Sequence, residues 1–265
     1  MNKKVALITG TSSGMGREIA NTLAQKDYIV YAFSRKKFTF SNKNIINMVV
    51  DIKDMQSIKD AISKIDHINL LVNNAGYGLV STVEDMQEEQ MIEQFNINVF
   101  ALLRVTKYAI GKMKRDGGVI INISSFLGKI GLPLFTMYNA SKYAVEGVTD
   151  SLRYELKDFN IRVHSIMPGF FDTEFARSNL VINSQINNKK SEYKKLINTL
   201  IPQILNQINH GNSVKDVAKL VLYIVDNKNA DARYTVGNKA SKFIPIRKEL
   251  SDEDFEDFVS RYYGI

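Results

Sequence analysis

The chain has 265 residues, 45% hydrophobic and 24% charged, the composition of an ordinary soluble globular protein. Its formal charge is +7, but the basic residues are scattered, which argues against nucleic-acid binding. The lack of cysteine excludes disulfides, iron–sulfur clusters and thiolate zinc sites. Because the three histidines lie far apart and no apolar stretch approaches the roughly 18 residues that span a bilayer, we expect a cytoplasmic protein with no metal, membrane or nucleic-acid partner.

Short β-branched runs alternate with longer segments of helical period along the chain. The runs predicted as buried strands are Val5–Thr9, Ile29–Ser34, Ile45–Asp51, Ile68–Asn73, Val119–Ser124 and Ile161–Met167. The helices predicted between them are Gly14–Lys26, Met55–Ile65, Glu88–Met113 and Tyr138–Phe159. This alternation is typical of an α/β fold of the Rossmann type, a doubly wound parallel sheet with helices on both faces, and predicts a single domain over residues 1–265.

The composition changes after Pro168, where asparagine and lysine become frequent and strand signals weaken. Residues 170–212 are predicted to be helical and polar, either a cover over a substrate site or an ordinary pair of surface helices. The chain is then predicted to end with a helix over Val214–Val225, a last strand over Arg233–Val236 and a helix over Asp252–Tyr262.

The first predicted strand leads directly into the glycine-rich segment Thr9–Gly16, which opens the first helix. Glycines at such a turn allow a tight reversal, a close approach of pyrophosphate to the backbone and close packing of helix and strand. The helix N-terminus adds free N–H donors for phosphate. The alternative is a flexible turn without a ligand, but this position favours a dinucleotide. The predicted contacts are Gly10, Ser12, Ser13, Gly14, Met15 and Gly16.

The end of the second predicted strand discriminates between cofactors. NAD sites carry an acid there that binds the ribose 2′-hydroxyl, whereas NADP sites accommodate a 2′-phosphate with arginine. This strand ends in Ser34-Arg35-Lys36-Lys37, without an acid. Arg35 can make a two-point contact with the phosphate while Ser34 and Ser12 donate hydroxyl groups. The alternative is a solvated charge cluster; we predict NADP(H).

Tyr138 and Lys142 stand four positions apart in a predicted helix and therefore share one face. A nearby ammonium lowers a phenol pKa from about 10, and a tyrosine tuned in this way can act as acid or base near neutral pH. Ser125 follows the strand Val119–Ser124 at the edge where ligands bind, and can hydrogen-bond a substrate oxygen. The spacing alone can arise by chance, and Ser125 also fits a turn; their shared setting favours a catalytic site.

Taken together, these motifs resemble the short-chain dehydrogenase/reductase family, in its compact one-domain branch, over roughly residues 3–175. The similar segments are the glycine motif Thr9–Gly16, the acid Asp51, the N-N-A-G segment from Asn73 to Gly76, Asn98, Ser125, the Y-x-x-x-K pair Tyr138 and Lys142, and Pro168-Gly169-Phe170-Phe171-Asp172-Thr173. They occur in family order and at family spacing.

The resemblance implies roles for these residues. Tyr138 acts as general acid or base, Lys142 lowers its pKa and holds the nicotinamide ribose, Ser125 orients the substrate oxygen, and Asn98 binds a water that connects Lys142 to solvent. Taken singly, Asn98 could be a solvent-facing residue and Asp51 a turn former. The other residues implied to hold the dinucleotide are Asp51, Ile52, Asn74, Ala75, Gly76, Pro168, Gly169, Phe171 and Thr173.

The implied reaction interconverts a ketone or aldehyde and an alcohol on a small molecule. The loops after Gly76, Ser125 and Gly169 lean apolar, which favours a lipophilic substrate. Two alternatives stay open: a ketoacyl-carrier-protein reductase, whose acidic partner would suit the charge of +7, and a non-catalytic NADP-sensing protein on the same fold. The resemblance also implies a homo-oligomer, a dimer or tetramer formed through the helices Glu88–Met113 and Tyr138–Phe159.

Overall fold

A computed structural model describes residues 3–172, 179–184 and 192–265 of the chain. Within these ranges, seven parallel strands form the main sheet in the order β3-β2-β1-β4-β6-β7-β9. Their bounds are β1 Val5–Thr9, β2 Ile29–Ser34, β3 Ile45–Val49, β4 Leu70–Asn73, β6 Gly118–Ile123, β7 Ile161–Pro168 and β9 Arg233–Val236. The order reverses direction at β1, so a crevice opens where the connections leave β1 and β4 toward opposite sides. The predicted Rossmann-type sheet is confirmed.

Helices cover both faces of the sheet because successive strand residues point to opposite sides. Ala6 and Ile8 of β1 pack in one core with helices α1 and α7, whereas Val5 and Leu7 pack in another with α2, α4 and α5. The bounds of these helices are α1 Gly14–Gln25, α2 Met55–Ser63, α4 Ala101–Met113, α5 Thr136–Glu155 and α7 Val214–Asp226.

The predicted helix Glu88–Met113 is not a single α-helix. Helix α3, Glu88–Phe95, passes into a π-helical turn over Asn96–Phe100 before α4 begins at Ala101. A π turn inserts an extra residue into the helix and is common at functional sites. It leaves the average hydrophobic period almost unchanged, so the sequence pattern could not reveal it.

A second, two-stranded sheet lies above the carboxyl edge of the main one. Its parallel strands are β5, Gly78–Val80, and β8, Leu180–Ile182. Asn183 fixes the end of β8, since its side-chain nitrogen lies within hydrogen-bond distance of Ser81 Oγ at 3.0 Å and donates to the carbonyl of Asp85 at 2.8 Å. The sequence did not predict this sheet, because three-residue strands carry too few positions for a pattern.

A third core joins the C-terminal part of the chain to the segment that follows β6 and to helix α5. Helix α6, Lys194–Asn209, buries an apolar face there, with Leu200 fully inaccessible, so the predicted polar segment contains an amphipathic helix. Residues 173–178 and 185–191 of the predicted cover lie outside the described ranges. Helix α8, Asn238–Glu249, was not predicted because Pro245 and many polar residues obscure its period. Helix α9, Asp252–Tyr263, closes the chain.

None of the helices within the described ranges combines the length and apolar character needed to cross a membrane.

Candidate active site

A cleft of about 820 Å³ opens along the carboxyl edge of the main sheet. The ends of β2 and β3 contribute Arg35 and Asp51, and the ends of β6 and β7 contribute Ser125 and Gly169. By the strand order, these pairs stand on opposite sides of β1, whose glycine loop lies between them. The cleft therefore has the length and position of a dinucleotide site at a switch point of an α/β sheet.

The glycine loop has a shape that side chains would destroy. Gly10 has a φ of +70°, and a Cβ there would lie 2.8 Å from the Cα of Ala75. A Cβ on Gly16 would lie 2.4 Å from the carbonyl oxygen of Gly10, so the loop folds tightly onto the first turn of α1. Of the residues predicted to contact a dinucleotide here, Gly10, Ser12, Ser13, Gly14 and Met15 line the cleft, whereas Gly16 is buried and acts through packing.

The start of helix α1 is suited to an anion. Ser13 stands at the N-cap without a side-chain capping hydrogen bond, and the first turn contains no acidic residue. The leading N–H groups of a helix lack partners within it and carry partial positive charge. The loop and helix terminus thus fit a pyrophosphate group at this point of the cleft.

Of the three residues predicted to bind a 2′-phosphate, Arg35 and Ser34 differ in their surroundings. Arg35 is exposed and lines the cleft, so its guanidinium can reach a ligand. The Ser34 hydroxyl is buried, donates to the carbonyl of Lys36 at 2.7 Å and accepts from Asn47 Nδ2 at 2.8 Å. Ser34 lines the cleft, but its one hydrogen is engaged with Lys36, so donation to a 2′-phosphate requires the hydroxyl to turn and stays a prediction.

The N-N-A-G segment joins β4 to the glycine loop. Asn74 Nδ2 donates to the carbonyls of Thr9 at 3.0 Å and Gly10 at 3.1 Å, while the N–H groups of Asn74 and Ala75 share the Thr9 hydroxyl as acceptor. These bonds orient the loop through Asn74. The same cleft is lined by Asn74, Ala75, Gly76, Asp51 and Ile52.

Tyr138, Lys142 and Ser125 meet in the buried part of the cleft. Tyr138 and Lys142 lie on one face of α5, with the Lys142 Nζ 5.8 Å from the centre of the Tyr138 ring. Ser125 follows β6 and is hydrogen-bonded to the Tyr138 side chain. The Lys142 ammonium donates to the carbonyl of Ile123 at 2.9 Å. The three predicted catalytic side chains are thus brought together.

Burial dominates the electrostatics of this group. It raises the pKa of Tyr138 to about 12, although the hydrogen bond with Ser125 acts in the opposite direction. This corrects the prediction that the Tyr138 pKa is lowered, since desolvation of the phenolate outweighs its stabilisation. Burial also lowers the pKa of Lys142 to about 8, and the charge of Glu146 opposes that change.

Asn98 sits at the centre of the π-helical turn, and its side chain is fully engaged. Oδ1 accepts from the N–H of Tyr77, and Nδ2 donates to the carbonyl of Tyr77 and to Ser141 Oγ, all at 3.0 Å. Through its side chain, Asn98 ties the segment after Gly76 to helix α5 beside Lys142. The water between Lys142 and solvent that the resemblance implies at Asn98 stays a prediction.

The end of the cleft beside β7 is formed by Pro168, Gly169 and Phe171, and Phe171 is buried against Gly237. Thr173 lies outside the described residues. Several lining residues were not predicted, because they come from elements distant in the chain or missing from the prediction: Glu89, Gln90, Glu93, Asn179, Leu180, Val181 and Ile208.

Comparison with known proteins identifies the family. The model of the short chain dehydrogenase family matches residues 4–181. A 3-ketodihydrosphingosine reductase from Bacteroides thetaiotaomicron is 32% identical over the whole length of both chains. A short-chain dehydrogenase structure from Streptomyces avermitilis superposes with a TM-score of 0.82, 26% identity and 98% coverage of each chain.

Two more distant structures, similar in fold alone, differ in their ligands. One from Burkholderia cenocepacia, complexed with NADP, has a TM-score of 0.78, 24% identity and coverage of 97% of this chain and 98% of its own. One from Burkholderia phymatum, complexed with NAD, has the same TM-score, 21% identity and coverage of 96% and 95%. The family match, the full-length relative and the shared fold agree: this chain is an oxidoreductase of the short-chain dehydrogenase/reductase family.

Proposed function

We propose that the protein is an NADP(H)-dependent oxidoreductase that interconverts a lipophilic ketone or aldehyde with the corresponding alcohol. The observation that carries this proposal is the meeting of Tyr138, Ser125 and Lys142 in the cleft that also contains the glycine loop. Arg35, exposed at the end of β2 where NAD sites carry an acid, supports the preference for NADP(H).

The side chains divide the chemistry between them. A bound nicotinamide ring supplies or accepts the hydride. The Ser125 hydroxyl orients the carbonyl oxygen beside Tyr138, and Tyr138 donates the proton that this oxygen needs as it becomes an alcohol. The Lys142 ammonium stabilises the phenolate left behind, because opposite charges attract strongly in a buried site. In alcohol oxidation the same groups work in reverse.

The apolar lining of the cleft supports a lipophilic substrate. Near Tyr138 and Ser125 the cleft is lined by Leu79, Phe126, Leu127, Phe135, Phe170, Leu180 and Ile208. Few polar groups there compete for the carbonyl, so apolar contact would supply most of the affinity. The name of the relative from Bacteroides thetaiotaomicron indicates a ketone substrate, which makes 3-ketodihydrosphingosine a suitable first compound to assay.

The proposal is tested by following NADPH consumption with 3-ketodihydrosphingosine, 2-decanone and an acetoacetyl carrier protein. We expect turnover with the lipophilic ketones and a loss of at least about 100-fold in kcat for Tyr138→Phe. Tyr143→Phe is the matched control, since Tyr143 is a neighbouring, 46% exposed tyrosine of the same helix. Full activity of Tyr138→Phe would overturn the proposed mechanism.

The same assay separates the two alternatives. Selective turnover of the acetoacetyl carrier protein would favour a ketoacyl-carrier-protein reductase. Tight NADPH binding, measured by nucleotide fluorescence, without consumption across the panel would favour an NADP-sensing protein. The complete set of Ser125, Tyr138 and Lys142 speaks against a sensor, because a protein that only binds nucleotide has no need of a proton donor.

A further inference from the structure

A buried carboxylate lies directly behind the proposed catalytic pair. Glu146 follows Lys142 by one turn on α5, and residues four apart share a helix face. Its side chain is only 3% exposed, and its Oε2 accepts a hydrogen bond from Arg233 Nε at 2.6 Å. Oε1 makes no hydrogen bond to any side chain or backbone group in the described ranges. Glu146 thus has a charge that the mechanism outlined above does not use.

The glutamate belongs to a row of alternating charges that runs from the site to the surface. Lys142 is buried, Glu146 comes next, and Arg233 pairs with Glu146 on one side and with Asp150 on the other, at 2.5 Å. Asp150 is 51% exposed and forms the outer end of the row. The side of Glu146 that faces the sheet is therefore held by Arg233, while Lys142 is its neighbour along the helix.

The turn after β6 leaves room for this arrangement. A Cβ on Gly128 would lie 3.2 Å from Glu146 Cγ and 2.9 Å from both the Lys142 carbonyl oxygen and Ser124 Oγ. The glycine therefore allows the Glu146 stem to pack against the same turn that holds Ser124, next to the catalytic Ser125. The Glu146 carboxylate is thus close enough to Lys142 for its negative charge to act on the ammonium group.

We propose that Glu146 is a positioning residue for the reaction: its buried carboxylate, held by Arg233, keeps the Lys142 ammonium charged beside Tyr138. The inference rests on the proposed function of Tyr138 and Lys142. A buried ammonium is costly without a counter-charge, and the opposing effect of Glu146 on the pKa of Lys142 supports this role. Arg233 acts one step further out, by fixing the carboxylate.

The direction of the effect on pH dependence follows from the charges. The ionisable groups described around the pair are Tyr138 and Asp150 on α5, Lys129 after β6 and Arg233 on β9. Tyr138 and Lys142 titrate as a coupled pair. Removing a nearby negative charge makes the loss of a proton easier, whichever group loses it first. Reduction needs both a protonated Tyr138 and a charged Lys142. Without the charge of Glu146, the reduction rate should therefore begin to decline at a lower pH than in the wild type.

The test uses Glu146→Gln, with reduction of 2-decanone by NADPH measured between about pH 5 and 10. We expect the basic limb of the kcat profile to move down by about one pH unit. Glu146→Asp retains the charge and should restore most of the wild-type profile. Asp150→Asn is the control at the exposed end of the row, where solvent screening should hold the shift below about 0.3 units.

Folding is checked by circular dichroism and NADPH binding. If Glu146→Gln does not fold, the double variant Glu146→Gln/Arg233→Met removes both members of the buried Glu146–Arg233 ion pair, a change that proteins often tolerate. It should shift the limb in the same direction, since the charge of Glu146 acts on Lys142 and that of Arg233 acts through the carboxylate it holds. If a folded Glu146 variant shows no shift of the basic limb while Tyr138→Phe is inactive, the role of Glu146 is overturned and the proposed function stands. An active Tyr138→Phe would instead overturn the proposed function.

Discussion

Gly16 of helix α1 and Asn74 after β4 lie so close that a Cβ on the glycine would come within 2.4 Å of the Asn74 Nδ2. That nitrogen is itself committed to the carbonyls of Thr9 and Gly10. The amide therefore cannot withdraw without releasing the glycine loop. The close approach couples the first helix to the segment after the fourth strand.

We expect Gly16→Ala to destabilise the protein by about 2 kcal/mol, because the new methyl group collides with atoms that cannot move freely. Chemical denaturation measures this change, and NADPH binding should weaken with it. Gly111→Ala is the matched control: Gly111 lies within α4, where a Cβ would meet no neighbouring atom of the described residues within 4 Å. It should stabilise by about 0.5–1 kcal/mol. Equal effects of the two substitutions would contradict this explanation.

Arg35 should determine the choice of nucleotide. Arg35→Asp replaces a two-point phosphate contact with a repulsive charge, so we expect the KM for NADPH to rise at least about 10-fold. The KM for NADH should not rise, because the ribose hydroxyl of NADH can form a hydrogen bond with the new carboxylate. Lys37→Asp makes the same change of charge two residues away, outside the cleft lining. If it raises the KM equally, the general charge of the region is responsible rather than Arg35.

The two directions of the reaction should depend on pH in opposite ways. Lys142 has a pKa of about 8, so it carries its charge below that pH and loses it above. Reduction needs a charged Lys142 and a protonated Tyr138, and should decline as pH rises through about 8. Oxidation needs the pair with one proton fewer, a Tyr138 phenolate beside the Lys142 ammonium, and should rise over the same range. Initial rates in both directions test this, and parallel profiles would be inconsistent with a shared pair.

Asn98 should affect catalysis through the main chain it holds. Asn98→Ala leaves the N–H of Tyr77 without its side-chain acceptor, although the carbonyl of Tyr77 keeps Gln94 as a donor. We therefore expect a loss of about 1–3 kcal/mol in unfolding free energy. A small displacement near the site should also lower kcat by about 10- to 100-fold. Asn96→Ala is the control in the same π turn, since the Asn96 side chain contacts Arg104 instead. A normal kcat for folded Asn98→Ala would exclude this positioning role.

The sequence predicted the sheet, and it predicted that Tyr138, Lys142 and Ser125 share one site, because both depend on local pattern. Buried strands such as Val5–Thr9 carry continuous apolar runs, and motif residues stand at strand ends, which meet at one edge in any parallel sheet. The pairing of Tyr138 with Lys142 needs only helical spacing. These features required no knowledge of distant neighbours.

The remaining features depend on partners far away in the chain. Ser34 was predicted to donate to a phosphate, but its hydroxyl donates to the carbonyl of Lys36 and accepts from Asn47, thirteen residues later. The Tyr138 pKa depends on how deeply the ring is buried, which no motif encodes. Glu146 acquires its buried ion-pair partner only when β9 brings Arg233 next to α5. Such tertiary effects become visible only after the chain is folded.

The pairing of β5 with β8 should determine the order in which nucleotide and ketone bind and leave. Leu180 and Val181 of β8 line the same cleft as Gly76, and Asn183 fastens the strand beyond it. The β5–β8 pair would cover a dinucleotide that lies along the strand ends. The ketone would bind beside Tyr138, after the nucleotide is in place. We therefore expect the nucleotide to bind first and leave last, with NADP⁺ as a competitive inhibitor against NADPH and its release limiting turnover.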